Sequence, residues 1–364
     1  MKTDTNNRHR IGFAWFATLM LMVTSAGAAF AATPPENSAA AAKALTWMKT
    51  QQQPDGSFAG FGAGSTVDAL FALLAAGQNP ASFAQGTTTP VTFLQSKAAD
   101  IAKGTGGAGK LLIATQALGA DGKSFGGTDL VGAIEATYGI SATGQYGPDA
   151  IGHAFALLGL KAAGVTLKSE AVDRLTSLQT AEGGWTFSGA GKPDTNTTAV
   201  AVQALLAAGI KADSAPLQKA LAYLLSQRNA DGGYPYQQGG EFGSDSDANS
   251  TAYVAQALTA LGATADSAAA QKFLLILQNP SGAFKYMVAE ADDNAGATYQ
   301  VVSALLGTTL INVKGAPEPV APGTTVGMPR TGQPTDLPLA ALGLLSALSA
   351  ITAGTLARRK ARAS

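Results

Sequence analysis

Short polar stretches rich in Asp, Asn, Ser and Thr recur along the chain, each just before an apolar run. Carboxylates in such places can act as general acids or contact a ligand. The same residue types are the preferred caps of helix N-termini, because their side chains accept hydrogen bonds from free backbone amides. The sequence leaves both interpretations open. The candidates in these stretches are Asp149, Asp194, Asn196, Asp245, Asp247, Asn249, Asp293 and Asn294.

Asp245 and Asp247 are the candidates for catalysis, as acids of an enzyme. The other polar residues of these stretches are candidates for binding a ligand. If the apolar runs are helices that begin at one mouth of a common assembly, these side chains form a crown at one end of a central pocket.

His153 follows Asp149 by four residues, so one helix face would hold both side chains. Such a histidine could be a base or a metal ligand, or it could be packed and hydrogen-bonded in the core. The chain has no cysteine and one further histidine, His9, near its N-terminus. No metal site and no cofactor are therefore predicted.

Aromatic residues occur in pairs after Gly-rich turns. The first of each pair recurs at a fixed slot (Trp185, Tyr234, Phe284) and is expected to wedge the turn against its helices. The second of each pair is freer to line a pocket and is a candidate for ligand binding. These second residues are Phe187, Tyr236 and Tyr286.

The elements that would position these side chains form a repeat. Residues 175–209, 221–262 and 273–307 share one plan: an amphipathic helix, a Gly-rich turn closed by an aromatic residue, a polar start and an apolar helix. Six apolar runs end in glycines about 45 residues apart, a spacing typical of two-helix repeats. These glycines are Gly77, Gly119, Gly164, Gly209, Gly262 and Gly307.

The two helices of each unit differ in character. The first has charges on one face, as in residues 169–175, whereas the second is almost uncharged on every side, as in residues 199–208. A helix that is apolar all round is buried all round. The sequence therefore predicts an all-α fold, a six-hairpin α/α toroid over residues 39–310, with charged helices outside and apolar helices inside.

The phrase Leu-x3-Gln followed by Gly-Gly-Trp, at residues 175–185, resembles the QW-type repeat of the squalene cyclase and prenyltransferase superfamily. By repeat count, the resemblance covers residues 39–307. The same toroid class includes protein prenyltransferase β subunits, cobalamin carriers and complement thioester domains. The resemblance implies the fold, whereas one fold hosts many activities.

The catalytic signatures of that superfamily are incomplete in this chain. Terpene cyclases of the protonating type resemble these stretches through a D-x-D-D-T-A motif whose second Asp donates the proton. Matching the motif places Asn196 and Asn249 at the donor position, and an amide has no acidic proton to give. The zinc site of prenyltransferases and the thioester both need a cysteine that this chain lacks.

The two ends of the chain predict export and anchoring. Residues 1–31 have the basic start, the apolar run and the small-x-small site of a signal peptide. Residues 311–334 form a Pro/Gly/Thr-rich linker, and 328–364 resemble a sortase sorting signal, with an apolar helix at 337–357 and a basic tail. Its LPxTG-like motif is Met328, Pro329, Arg330, Thr331 and Gly332.

The expected location is the cell surface, with the membrane, a sortase and the cell wall as partners. Lys and Arg balance Asp and Glu, which argues against nucleic acid. The sequence favours a non-catalytic binding module for an apolar or amphipathic small molecule, cobalamin-like or isoprenoid, or for a peptide. The alternatives are an enzyme acting on isoprenoid lipids and a structural or adhesion spacer. A packed ring centre would favour the spacer.

Overall fold

Helices and turns make up all of the chain that the computed structural model describes, residues 33–313. No strand forms between these residues, and only isolated bridges join the turns. Twelve α-helices and a 3-10 turn at Pro80–Ser82 follow one another within them. The helices are α1 Pro35–Gln51, α2 Gly62–Ala75, α3 Pro90–Ile101, α4 Thr105–Ala117, α5 Leu130–Glu135, α6 Ala150–Ala162, α7 Ser169–Ser177, α8 Thr195–Ala207, α9 Ala215–Ser226, α10 Ala248–Ala260, α11 Thr264–Ile276 and α12 Ala295–Leu305.

Helices of two kinds alternate along the chain. The even-numbered helices, which we call the inner helices, are buried on nearly every side; in α6 every residue from Ala150 to Leu160 is buried. The odd-numbered outer helices bury one face only, and in α7 the buried residues are Ala171 and Leu175. The alternation predicted from charge therefore separates the two layers.

The inner helices form a closed ring. Each packs against the next in chain order, and α12 packs against α2 to complete the circle. The first outer helix, α1, lies against α11 and α12, which belong to the last unit. The Tyr299 hydroxyl in α12 donates to the carbonyl of Ala59 in the first unit, at 3.0 Å. The predicted α/α toroid of six helix pairs is confirmed.

Glycine ends every inner helix, at the six positions expected from the sequence. All six have a positive φ, between 64° for Gly77 and 94° for Gly209. Glycine enters this region without steric strain, so the chain can leave the helix in a tight turn. After the first five of these glycines the chain moves outward to the next outer helix, whereas after Gly307 it turns inward beneath the ring.

The predicted signal peptide, sorting signal and apolar C-terminal helix, at residues 1–31, 328–364 and 337–357, lie outside the described residues. So does nearly all of the linker predicted at 311–334. In the part that is described, no helix is long and apolar enough to cross a membrane.

Candidate functional site

Four of the eight polar residues predicted to form a crown at one mouth of the ring are helix caps. Each of four side chains accepts a hydrogen bond from the backbone amide three residues later, at the start of an inner helix. The contacts are Asp149 with Gly152 at 2.6 Å, Asp194 with Thr197 at 2.7 Å, Asp247 with Ser250 at 2.7 Å, and Asn294 with Ala297 at 2.9 Å. Capping alone accounts for the position of these four residues.

Burial perturbs the capping carboxylates. Asp194 and Asp247 are 1% and 2% exposed. Loss of water raises the pKa of Asp247 to about 7 and that of Asp194 to about 6, although hydrogen bonds from the backbone partly oppose the rise. Burial also raises the pKa of Asp149. The Tyr236 hydroxyl hydrogen-bonds the Asp194 carboxylate. These two predicted ligand-binding residues therefore contact each other within the wall of the ring.

The remaining polar candidates have separate positions. Asp245 is exposed on the loop before α10. Asp293 accepts hydrogen bonds from Asn279 and Ser281, both at 2.8 Å, within its own turn. Asn196 and Asn249 are buried in the first turns of α8 and α10, and the side-chain oxygen of Asn249 has no hydrogen-bond partner in residues 33–313.

His153 occupies a slot that belongs to threonine in other units. Its Nδ1 accepts the backbone N–H of Tyr146 at 3.1 Å, and its Nε2 lies 2.9 Å from the carbonyl of Ala171, to which it donates. Burial lowers the pKa of His153 to about 4, so the ring is neutral. In four other units a threonine hydroxyl accepts the equivalent amide: Thr66 from Phe58, Thr198 from Trp185, Thr251 from Tyr234 and Thr298 from Phe284. His153 thus positions a turn.

The second aromatic residue of each pair links neighbouring units through its backbone. The carbonyls of Phe187, Tyr236 and Tyr286 accept the first amide of the inner helix in the preceding unit, at 3.1, 2.9 and 2.8 Å. The partner amides belong to Ala150, Thr195 and Ala248. Because these contacts join main-chain atoms, they do not depend on an aromatic side chain at these positions.

A cavity of about 20 Å³ lies at the centre of the ring. This volume holds one or two water molecules. Its walls come from α2, α4, α10 and α12, and residues 308–313, which we call the inward turn, contribute to its lining. None of the site residues predicted from the sequence lines it. Residues that do so include Asp68, Phe71, Lys110, Tyr253, Gln256, Tyr299, Gln300, Ser303 and Leu310.

An ion pair lies inside the ring. Lys110 Nζ is 2.5 Å from Asp68 Oδ1, and both side chains are less than a tenth exposed. Tyr253 hydrogen-bonds Lys110, and Gln300 Nε2 lies 3.3 Å from Asp68 Oδ2. Desolvation lowers the pKa of Lys110, but the attraction and hydrogen bonds of Asp68 and Tyr253 together outweigh it and the net shift is upward. Lys110 is therefore charged. Lys110 also lies over the Phe155 ring, 5.9 Å from its centroid.

Two of the nearly uncharged inner helices, α2 and α4, each place one charged side chain at the axis. Asp68 follows the threonine slot of α2 by two residues, as Tyr253 and Gln300 follow those of α10 and α12. Side chains at this position, two residues after the threonine slot, face the ring axis. A single charged side chain there contacts residues of the other inner helices. The signal was available in the sequence: α2 and α4 each contain one charged residue, and the two have opposite sign.

Two polar atoms next to this ion pair lack partners. The side-chain oxygens of Gln300 and Ser303 are buried, line the cavity, and accept or donate no hydrogen bond within the described residues. Buried polar atoms are nearly always paired, because an unpaired one loses its interaction with water without compensation. The cavity therefore presents hydrogen-bonding capacity that the protein itself does not use. Residues 33–313 contain no group of three or more His, Asp or Glu side chains placed to hold a metal ion.

Comparison with known families agrees with this architecture. The model of the prenyltransferase alpha-alpha toroid domain matches residues 5–81 and 151–318, about two thirds of the chain. The protein belongs to this family. The match does not cover residues 82–150, which hold α3, α4 and α5 and therefore Lys110.

Solved structures show the same fold at low identity. The type II terpene cyclase MstE from Scytonema is 17% identical, with 74% of this chain and 97% of that one covered and a TM-score of 0.54. A glycosidase is 13% identical, with coverage of 75% and 98% and a TM-score of 0.51. A protein from Actinoplanes is 14% identical, with coverage of 76% and 100% and a TM-score of 0.55.

Such identities show the prenyltransferase-type toroid fold and no more. No match was found among curated protein sequences.

Proposed function

We propose that this toroid is a non-catalytic binding module that holds a small molecule or a peptide at its ring centre. The observation that carries the proposal is the polar cavity, in which a buried ion pair lies beside two oxygens without partners. Well-packed apolar residues often stabilise a core about as well as a buried ion pair, so stability alone does not account for this pair. Retaining charge and unpaired polar atoms at the hub supports a role in recognition.

The cavity walls support an amphipathic ligand. Phe71, Tyr253 and Tyr299 supply aromatic surface, while Gln300 and Ser303 offer hydrogen bonds. Cobalamin-like, isoprenoid and peptide ligands all combine apolar surface with polar groups. Pockets for small molecules usually measure about 300–1,000 Å³. Since the cavity here is far smaller, binding requires part of its lining to move.

Two further features support a role without catalysis. Asp247 is occupied as a cap and does not line the cavity, and Asp245 lies on an exposed loop. An enzyme acting on isoprenoid lipids is the alternative that the terpene cyclase neighbour suggests. Incubating the protein with squalene or geranylgeranyl diphosphate tests it, and turnover that disappears in Asp247→Asn would replace the binding proposal with an enzymatic one.

A thermal-shift panel tests the binding module. The full chain is heated with cobalamin, squalene, geranylgeranyl diphosphate or mixed peptides, because a ligand that binds the folded state raises its melting temperature. We expect a shift with one class, reduced in Ser303→Ala and unchanged in Ser177→Ala, whose side chain lies on outer helix α7. Equal shifts in both variants, or no shift with any class, would count against the ring centre as the site.

The small cavity favours a second candidate, a structural or adhesion spacer whose centre is filled by its own residues. A spacer needs no polar hub. If the double variant Asp68→Leu, Lys110→Met bound every ligand and partner as the wild type does, a spacer would explain the function better than a binding module.

The proposal includes display at the cell surface, as expected from the two chain ends. Fractionation of cells that express the full chain should find it with the envelope. Thr331→Ala separates the two anchoring mechanisms, since sortase linkage to the cell wall would be lost whereas a membrane anchor would persist.

A further inference from the structure

The inward turn is the one place in the described chain where the path after an inner helix leads to the ring axis. Gly307 ends α12 with the same positive φ as the other five glycines. Those five are followed by an outer helix, but α1 already fills the outer position next to α12. The chain therefore has no outer position to fill, and residues 308–313 fold across the opening of the ring.

Leu310 is the buried aliphatic residue of this turn. It is 7% exposed and lines the cavity, whereas its neighbour Ile311 is 43% exposed. The Leu310 amide donates to Gln203 Oε1 of α8 at 2.8 Å, and α10 lies between α8 and α12 in the ring. Gln203 is fully buried, and its own amide group donates to the carbonyl of Ala199, which fixes its oxygen toward the axis.

The Thr308 amide donates to the carbonyl of Ser303 in α12 at 3.0 Å, and the remaining hydrogen bonds of the turn are internal. Asn312 Oδ1 accepts from the amide and the hydroxyl of Thr309, at 2.7 and 3.0 Å, and the Asn312 amide donates to the Thr309 carbonyl at 3.2 Å. These bonds move with the turn. The turn is therefore held at the hub by the side chains of Leu310, Thr309 and Val313 and by the hydrogen bond to Gln203. These contacts are few, so local opening does not require the ring to unfold.

The acceptors at the hub match the donors of a peptide. Gln203 Oε1 receives the backbone N–H of Leu310, and Leu310 lines the cavity together with Gln300 and Ser303, whose side-chain oxygens are free. An isoprenoid chain has no N–H group to offer, whereas an extended peptide presents one at every residue. Peptides also supply aliphatic side chains that can replace Leu310.

We infer that the inward turn is an internal occupant of a peptide-binding site at the ring centre. The ligand is a short peptide with a leucine-like side chain beside a free backbone N–H, and it binds when residues 308–313 withdraw. This inference rests on the proposed binding function and names its ligand class. It adds that the site is self-occupied in the resting state, which lowers the apparent affinity for any ligand because only the open fraction can bind it.

Cysteine labelling tests whether the turn opens, and the chain has no native cysteine to interfere. Leu310→Cys, Ile311→Cys and Val254→Cys are made in the full chain; Ile311 is exposed and Val254 is fully buried in α10. We expect Leu310→Cys to react with a thiol reagent more slowly than Ile311→Cys but at least ~10-fold faster than Val254→Cys, which reacts only on unfolding. Equal rates for the two buried cysteines would overturn the opening step.

A peptide binding experiment tests the ligand class. A fluorescent peptide of residues 307–313, Gly-Thr-Thr-Leu-Ile-Asn-Val, is titrated into the full-chain variant Leu310→Gly, whose own turn can no longer fill the hub. We expect saturable binding that is at least ~10-fold weaker for a peptide with Asp in place of Leu, and similarly weakened by adding Gln203→Met. Rapid Leu310→Cys labelling without peptide binding would overturn the peptide assignment while leaving the small-molecule version of the proposed function intact.

Discussion

Gln278 in the last unit donates a hydrogen bond from Nε2 to the carbonyl of Ala40 in the first unit, at 2.8 Å. Gln179 makes the same contact between the fourth and fifth units, to the carbonyl of Pro216 at 2.8 Å. Each of the two side chains also bonds the carbonyl of a glycine in its own turn. The seam that closes the ring is therefore built like an internal junction.

Replacing Gln278 with Ala should weaken that seam, because two carbonyl groups lose their donor. We expect the free energy of unfolding to fall by about 1–3 kcal/mol, measured by urea denaturation. Gln227→Ala is the matched control, since the Gln227 amide group donates to the exposed hydroxyl of Ser226. Equal losses in the two variants would show that the seam contact has no special weight.

Breaking the hub ion pair from one side should be more harmful than removing it entirely. Lys110→Met leaves the Asp68 carboxylate buried without its partner, and we expect a loss of about 3–5 kcal/mol in unfolding free energy. Adding Asp68→Leu should restore most of that loss. A double variant as unstable as the single one would mean that the pair stabilises the ring more than apolar packing does.

The two capping aspartates should make the protein more stable as pH falls from about 7 toward 4. A folded-state pKa raised above the unfolded value means that the folded state binds more protons over this range, so stability declines as pH rises through it. Asp247→Asn keeps a capping oxygen, as Asn294 shows, but removes the buried charge. We expect a gain of up to about 4 kcal/mol at pH 8 and little change at pH 4.

Denaturation curves from pH 4 to pH 8 provide the measurement. Asp293→Asn is the comparison, because Asp293 is exposed. A difference between Asp247→Asn and the wild type that stays constant with pH would contradict the titration of Asp247.

His153 should act on stability in the opposite direction. Its folded pKa of about 4 is below the unfolded value, so its contribution is complete above about pH 6.5 and is lost as pH falls toward 4. His153→Ala removes the acceptor for the Tyr146 amide, whereas His153→Thr supplies the hydroxyl used in other units. We expect His153→Thr to be more stable than His153→Ala by about 1 kcal/mol. Identical stability would indicate that the slot does not depend on this hydrogen bond.

The repeat made the fold predictable. Periodic glycines, turn aromatics and the contrast between charged and apolar helices are local signals that agree with one another, and the structure reproduces the six pairs. Closure of the ring was an inference from burial, and contacts such as Tyr299 with Ala59 decide it because they join residues 240 positions apart.

The site was less accessible to sequence reasoning. Asp, Asn and Thr side chains can both cap a helix and bind a ligand. The polar starts of the inner helices were therefore predicted as site residues, whereas several of them cap helices. Asp68 and Lys110 are single charges in apolar helices, and their pairing depends on two helices meeting across the axis. Leu310 lies in a stretch with no motif, and its burial is decided entirely by the ring that surrounds it.

Ring closure also has a consequence for the order in which the protein can be completed. The α1 helix leaves the ribosome before the other eleven described helices. Its apolar face, which includes Ala44 and Met48, packs against α11 and α12, and these are the last two described helices to be synthesised. That face remains uncovered until the toroid is nearly complete. A nascent chain that ends after α10 would consequently expose the apolar face of α1. We expect such truncated products to be bound by chaperones or degraded by proteases.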